Sequence, residues 1–161
     1  MKTYQLNRLA KARVWQRRDP FDATERPEFL AVELWIPHGA SAEYGLLGAS
    51  LDHEQFGVRL TCPRSDGRWA GSLAEGLDDV RRGLPEEYRE SVIREAQAVI
   101  AERAMDIGVT YDTAAHGAIG SSSALFGRLA VTVIDLLTIG EESPGDERTE
   151  ALLRTALQPR S

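Results

Sequence analysis

Apolar and polar positions fall into two regimes along this chain. In the first third the period is short. Phe29-Leu30-Ala31-Val32-Glu33-Leu34-Trp35-Ile36 reads as a strand stopped by Pro37, and Gly57-Val58-Arg59-Leu60-Thr61-Cys62 alternates as a second strand stopped by Pro63. Between them lies a Gly/Ala/Ser-rich stretch containing Gly39, Gly45 and Gly48, which reads as a connector. Residues 5 to 17 place Leu6, Leu9, Ala10 and Val14 at helical spacing beside Trp15, which predicts a short helix. Asp19 to Pro27 reads as a loop, Ser65-Asp66-Gly67 as a turn, and residues 68 to 82 as either a strand or a short helix.

The period lengthens beyond residue 84. Pro85 suits a first helical turn, and Glu86 and Glu87 sit where the helix dipole favours acids. Tyr88, Val92, Ala96, Val99, Ile100 and Arg103 then recur on one helical face, with Glu90 and Arg94 as an i,i+4 pair on the other. Val109-Thr110-Tyr111-Asp112 is a short strand. A small-residue turn, Ala114 to Ser123, follows and opens a helix from about Ser122 to Ile139, whose apolar residues cover most of its circumference and predict deep burial. Ser143-Pro144 with Asp146 predicts the start of a last short helix, ending near Leu157.

Strands followed by two amphipathic helices predict an α+β fold, a two-layer sandwich of a three- to four-stranded sheet with two main helices on one face. The division expected is a basic arm or short helix over 1–27, a single α+β domain over 28–140, and a short helix with tail over 141–161. The chain has 161 residues, 42% of them hydrophobic and 27% charged, which suits one soluble domain. A lone Cys62 excludes an internal disulfide and predicts a reducing, cytoplasmic setting. The start of the chain has no signal-peptide core, and its apolar runs fall short of a membrane span.

Charge is unevenly placed. Residues 1–18 carry six cations and no acid, so the net charge of −6 leaves −12 on the remainder. Arg13, Trp15, Arg17 and Arg18 could stack on a base and hold phosphates, or could dock against the acidic body of this or a partner chain. Ser121, Ser122 and Ser123 at a helix start cap orphan N–H groups, and with Gly120 they could alternatively cradle an anion. No Gly-x-Ser-x-Gly elbow accompanies them, and His116 has no carboxylate partner in sequence, so no catalytic residue is assigned. His38, Asp52, His53 and Glu54 fit no metal-ligand spacing, and no metal or cofactor is expected. Asp78-Asp79 reads as a solvated face. Trp35 serves as a core anchor or as a binding platform.

The order of these pieces resembles domain IV of the translational GTPase elongation factor G over roughly residues 55 to 138. Gly83-Leu84-Pro85-Glu86-Glu87-Tyr88 resembles that domain's Pro-x-Glu-Tyr helix start, and His116 followed by Gly120-Ser121-Ser122-Ser123-Ala124-Leu125-Phe126 resembles its histidine tip loop and Asp-Ser-Ser-Glu-x-x-Phe helix opening. Gly120 stands where the family has its acid and Ser123 where it has its Glu. The resemblance implies an α+β sandwich with a left-handed βαβ crossover, and a tip at His116 and Gly117 that contacts RNA or the ribosome. The chain carries no Gly-x-x-x-x-Gly-Lys-Ser/Thr loop for GTP. Gly117 to Ala124 also looks like the Gly-x-Gly-Ser-Ser-Ala phosphate loop of galactokinase/homoserine kinase-type enzymes, which share that core; Ala118 stands at the first glycine. Three functions therefore stand open: a non-catalytic module binding RNA, the ribosome or a protein; a homo-oligomeric interaction domain; or a small nucleotide-binding enzyme using residues 117–124.

Overall fold

The computed structural model describes residues 1–139 and 146–158. Strand β1 (Lys2–Gln5) leads through a turn at Asn7 into β2 (Lys11–Arg18), followed by β3 (Glu25–His38), β4 (Ser41–Asp52), β5 (Gly57–Leu60) and β6 (Val80–Arg82). Helix α1 (Glu86–Glu102), strand β7 (Gly108–Gly117) and helices α2 (Ser123–Thr138) and α3 (Asp146–Thr155) complete the order. The strands form one mixed sheet in the order β1-β2-β3-β4-β7-β5, with β6 also on β7. All pairs are antiparallel except β5 with β7, which α1 connects in parallel. The fold is α+β, as expected, but with seven strands and three helices in place of the smaller sandwich.

Three local expectations are corrected. Residues 5–17 are strand and turn, not helix, because the Asn7 side chain accepts from the amides of Leu9 and Ala10 at 2.9 and 2.7 Å and turns the chain. The supposed connector is β4. Its small residues are required by packing: a Cβ on Gly45 would lie 3.0 Å from Leu129 Cδ1 in α2, and one on Gly48 only 2.8 Å from Ala31 Cβ across the sheet. Strand β7 runs on to Gly117, so Ala114, Ala115 and His116 belong to the sheet. Ser143 and Pro144 lie outside the described residues.

The two faces of the sheet are covered by different material. Leu30, Val32, Leu34 and Ile36 of β3 join α1, α2 and α3 in one apolar cluster through Val92, Ala96, Phe126, Leu129, Val133 and Leu153. The alternate residues face the other way, where the segment joining β5 to β6 packs on them: Trp15, Phe29, Ala31, Tyr44 and Leu46 meet Ala74, Val80 and Trp69. No helix among the described residues is long and apolar enough to cross a membrane.

Candidate functional site

The hydroxyls of the serine turn are all engaged. Ser122 caps α2, its Oγ accepting from the Leu125 amide at 3.1 Å. The Ser121 hydroxyl donates to the Tyr44 carbonyl at 2.6 Å while accepting from the Gly117 amide at 2.9 Å. That of Ser123 donates to the Glu87 carbonyl in α1 at 3.0 Å. The amides of Ile119 and Gly120 do cradle an anion, and it is the carboxylate of Asp78, at 3.1 and 2.9 Å. The glycines make that approach possible, since a Cβ on Gly117 would stand 2.1 Å from Asp78 Oδ2. Asp78 is therefore a ligand of the turn instead of part of a solvated face. An incoming phosphate would have to displace a carboxylate already in place.

Asp78→Ala should free two amides at a cost of about 1–3 kcal/mol. The expected signature is fast hydrogen exchange at Ile119 and Gly120, with α2 amides unchanged. Asp78→Asn, which keeps one acceptor oxygen, should fall between the two.

His116 and Gly117 are the last residues of β7 and do not form a tip. His116 pairs with Gly45 on one side and Arg81 on the other, and its Nδ1 lies 2.8 Å from the Gly83 carbonyl. The exposed point of the turn is Ile119, which keeps 81% of its surface in water.

The basic quartet is dispersed. Arg13 and Trp15 face the covered side of the sheet, and Trp15 is buried beside Trp69 with ring centroids 6.2 Å apart. Arg17 occupies a bulge in β2 at φ 65°, and Arg18 pairs in register with Glu25. No stacking ring with flanking free guanidiniums is present at Trp15.

Arg13 is held by Glu33, a strand acid that is completely buried. Arg13 Nε lies 2.5 Å from Glu33 Oε1, and its Nη2 donates to the Gly71 carbonyl at 2.5 Å. Glu33 Oε2 accepts from the Tyr44 hydroxyl at 2.7 Å and the Leu73 amide at 3.0 Å. Burial, and then the adjoining Glu33 charge, hold the Tyr44 phenol well above its ordinary pKa. This network fastens the segment around residues 71–74 to the sheet.

Beyond that fastening the sheet is left open, and a groove of about 480 Å³ forms. Its floor is Trp35, Pro37, Ala42 and Tyr44, with Ala74 beside them, and Asp78 lies in its wall. Leu9, Leu77 and Ile119 line it while remaining 55%, 65% and 81% exposed. These are three of the five large hydrophobic residues left exposed among the described residues, the others being Met1 and Phe56. The sequence marks Trp35 as anchor or platform, places Leu9 on the face of an expected helix, and gives no role to Leu77 or Ile119; the three apolar residues come from separate turns. An isoleucine among glycines and serines was the one local signal.

Among the described residues, other candidate chemistry is absent or engaged. No group of three or more His, Cys, Asp or Glu residues among the described residues could hold a metal. His38 and His53 pair with Glu43 and Glu28, at 2.6 and 3.0 Å. Burial pushes the Cys62 thiol up to about 11, partly countered by Arg89. At pH 8 a disulfide reagent should therefore label the folded protein about a hundredfold more slowly than the urea-unfolded chain. Equal rates would show that Cys62 is accessible.

No protein-family model matches this chain, no curated protein is significantly similar to it, and no solved structure significantly matches its fold.

Proposed function

We propose that this protein is a non-catalytic interaction module that receives an apolar segment of a protein partner in the groove over Trp35. The observation that carries the reading is the clustering of Leu9, Leu77 and Ile119 around one concavity. Isolated exposed hydrophobics are ordinary on a protein surface, but a contiguous apolar patch marks an interaction site. The engaged serine hydroxyls and turn amides favour binding over nucleotide chemistry, and the pairing of Arg13 with Glu33 and the burial of Trp15 favour protein over RNA. In that reading Ile119, not His116, is the contacting residue.

The test is affinity capture from native lysate with wild type, Leu77→Glu and Ile119→Glu, each with and without nuclease, after circular dichroism has verified folding. The expected result is one defined protein retained by wild type, insensitive to nuclease, and reduced at least about tenfold by either substitution. Capture abolished by nuclease and by Arg18→Glu, yet indifferent to Leu77→Glu, would establish RNA binding instead. A concentration-dependent dimer in light scattering that Leu77→Glu dissolves would make the occupant a second copy.

A further inference from the structure

The charges around this groove are asymmetric, and they narrow what fits in it. Lys11 in β2 lies directly opposite Trp35 in β3, so the two side chains project from the same face of the sheet. Lys11 is exposed and has no ion-pair partner among the described residues. The acid one rung further along β3, Glu33, cannot neutralise it, being engaged by Arg13, Tyr44 and the Leu73 amide. Asp78 in the groove wall is likewise engaged, by the amides of Ile119 and Gly120. A second exposed cation, Arg8, precedes Leu9 in the β1–β2 turn and is also unpaired among the described residues. The opposite rim carries Leu77 and Ile119, with one exposed acid, Glu75, two residues before Leu77.

We propose that the groove selects a segment whose apolar anchor side chain is flanked by a carboxylate, the anchor lying over Trp35 and the carboxylate facing Lys11 and Arg8. The inference rests on the docking reading above and adds the chemistry of the partner. The apolar floor supplies contact area, while the unpaired cations on one rim set the polarity and favour an acidic neighbour over a basic one. Rim charges of this kind act mainly on specificity and association rate.

Three blocked peptides serve as probes against the full-length protein: one with two leucines beside two aspartates, one with two leucines beside two lysines, and one with two serines beside two aspartates. Binding is read from the indole N–H resonance of Trp35, assigned with Trp35→Phe. The leucine–aspartate peptide should bind about three- to fivefold more tightly than the leucine–lysine peptide at low salt, with the difference shrinking as salt is raised. Lys11→Glu should reverse the order, and Leu77→Ser should weaken both leucine peptides alike. Equal binding of the two leucine peptides, in wild type and in Lys11→Glu, overturns the acidic preference and leaves the docking reading intact. Binding of the serine–aspartate peptide as tightly as the leucine–aspartate one also overturns it, since the apolar anchor would then be idle. Failure of both leucine peptides to move the Trp35 resonance overturns the docking reading itself.

Discussion

Replacing Glu33 with alanine should lower the unfolding free energy by about 3–5 kcal/mol, a loss typical of removing one partner from a buried ion pair. The side chain is fully buried, and three donors converge on it from three other segments: Arg13 of β2, Tyr44 of β4 and the Leu73 amide. Alanine would leave a guanidinium, a phenol and an amide without their acceptor. Arg13 keeps 16% of its side chain in water, which points to the lower end of the range. Glu33→Gln retains an acceptor for Tyr44 and Leu73 and should cost less. Replacing Arg13 and Glu33 together with leucine should recover much of the loss, since neither charge then remains unmatched. Urea denaturation of the four proteins gives these values directly. A Glu33→Ala midpoint close to wild type would mean that water replaces the missing carboxylate, and that residues 71–74 are not fastened from below. Proteolysis provides an independent reading, with cleavage of Glu33→Ala expected first within 69–79.

Phe126→Ala should cost about 3–5 kcal/mol through the cavity it leaves. Phe126 is completely buried in the first turn of α2 and stacks on Tyr88 of α1, with centroids 5.2 Å apart and an 18° interplanar angle. The Tyr88 hydroxyl in turn donates to the Ser121 carbonyl at 3.1 Å, so one ring pair joins both helices to the serine turn. Gly45 of β4 lies directly under this turn, its missing Cβ leaving room for Leu125, Phe126 and Leu129. Phe126→Leu should cost less than half as much. Calorimetry or urea unfolding measures both, and a loss below about 1 kcal/mol for the alanine variant would show that the helices can close over the gap.

The parts of the fold legible from sequence are those where one periodicity persists. Helices α1 and α2 repeat apolar residues over four turns or more, and residues 29–36 of β3 form an apolar run broken by one acid, Glu33. The N-terminal strands were not legible, because Leu6, Leu9, Ala10 and Val14 satisfy helical spacing by coincidence, and the Asn7 turn that divides them acts through one side chain. Strand β4 was obscured by its own packing. Gly45 and Gly48 look like connector residues until α2 and Ala31 are seen pressing on them. Of the anion cradle read in Gly120 to Ser123 only Gly120 takes part, with Ile119 beside it, and its occupant was not legible because Asp78 arrives from 42 positions away. The groove left almost no trace, since each of its apolar residues stands alone in its own stretch. Glu33 was conspicuous as an acid within an apolar strand, yet only the three converging segments explain it.

The pairing of β7 has one more implication. Its outer edge is shared end to end by β5, running with it, and β6, running against it, so the intervening residues depart from and return to a single strand. Cys62 and Arg64, at the start of that segment, are tied to α1 by Arg89 and Glu86, whereas Trp69 and Ala74 further along pack on the face of the sheet away from the helices. A longer or shorter graft between Ala74 and Asp78 would remodel the wall around Leu77 while the Glu33 network and the Asp78 contacts stayed as they are. The same backbone could in this way present differently shaped clefts to different guests.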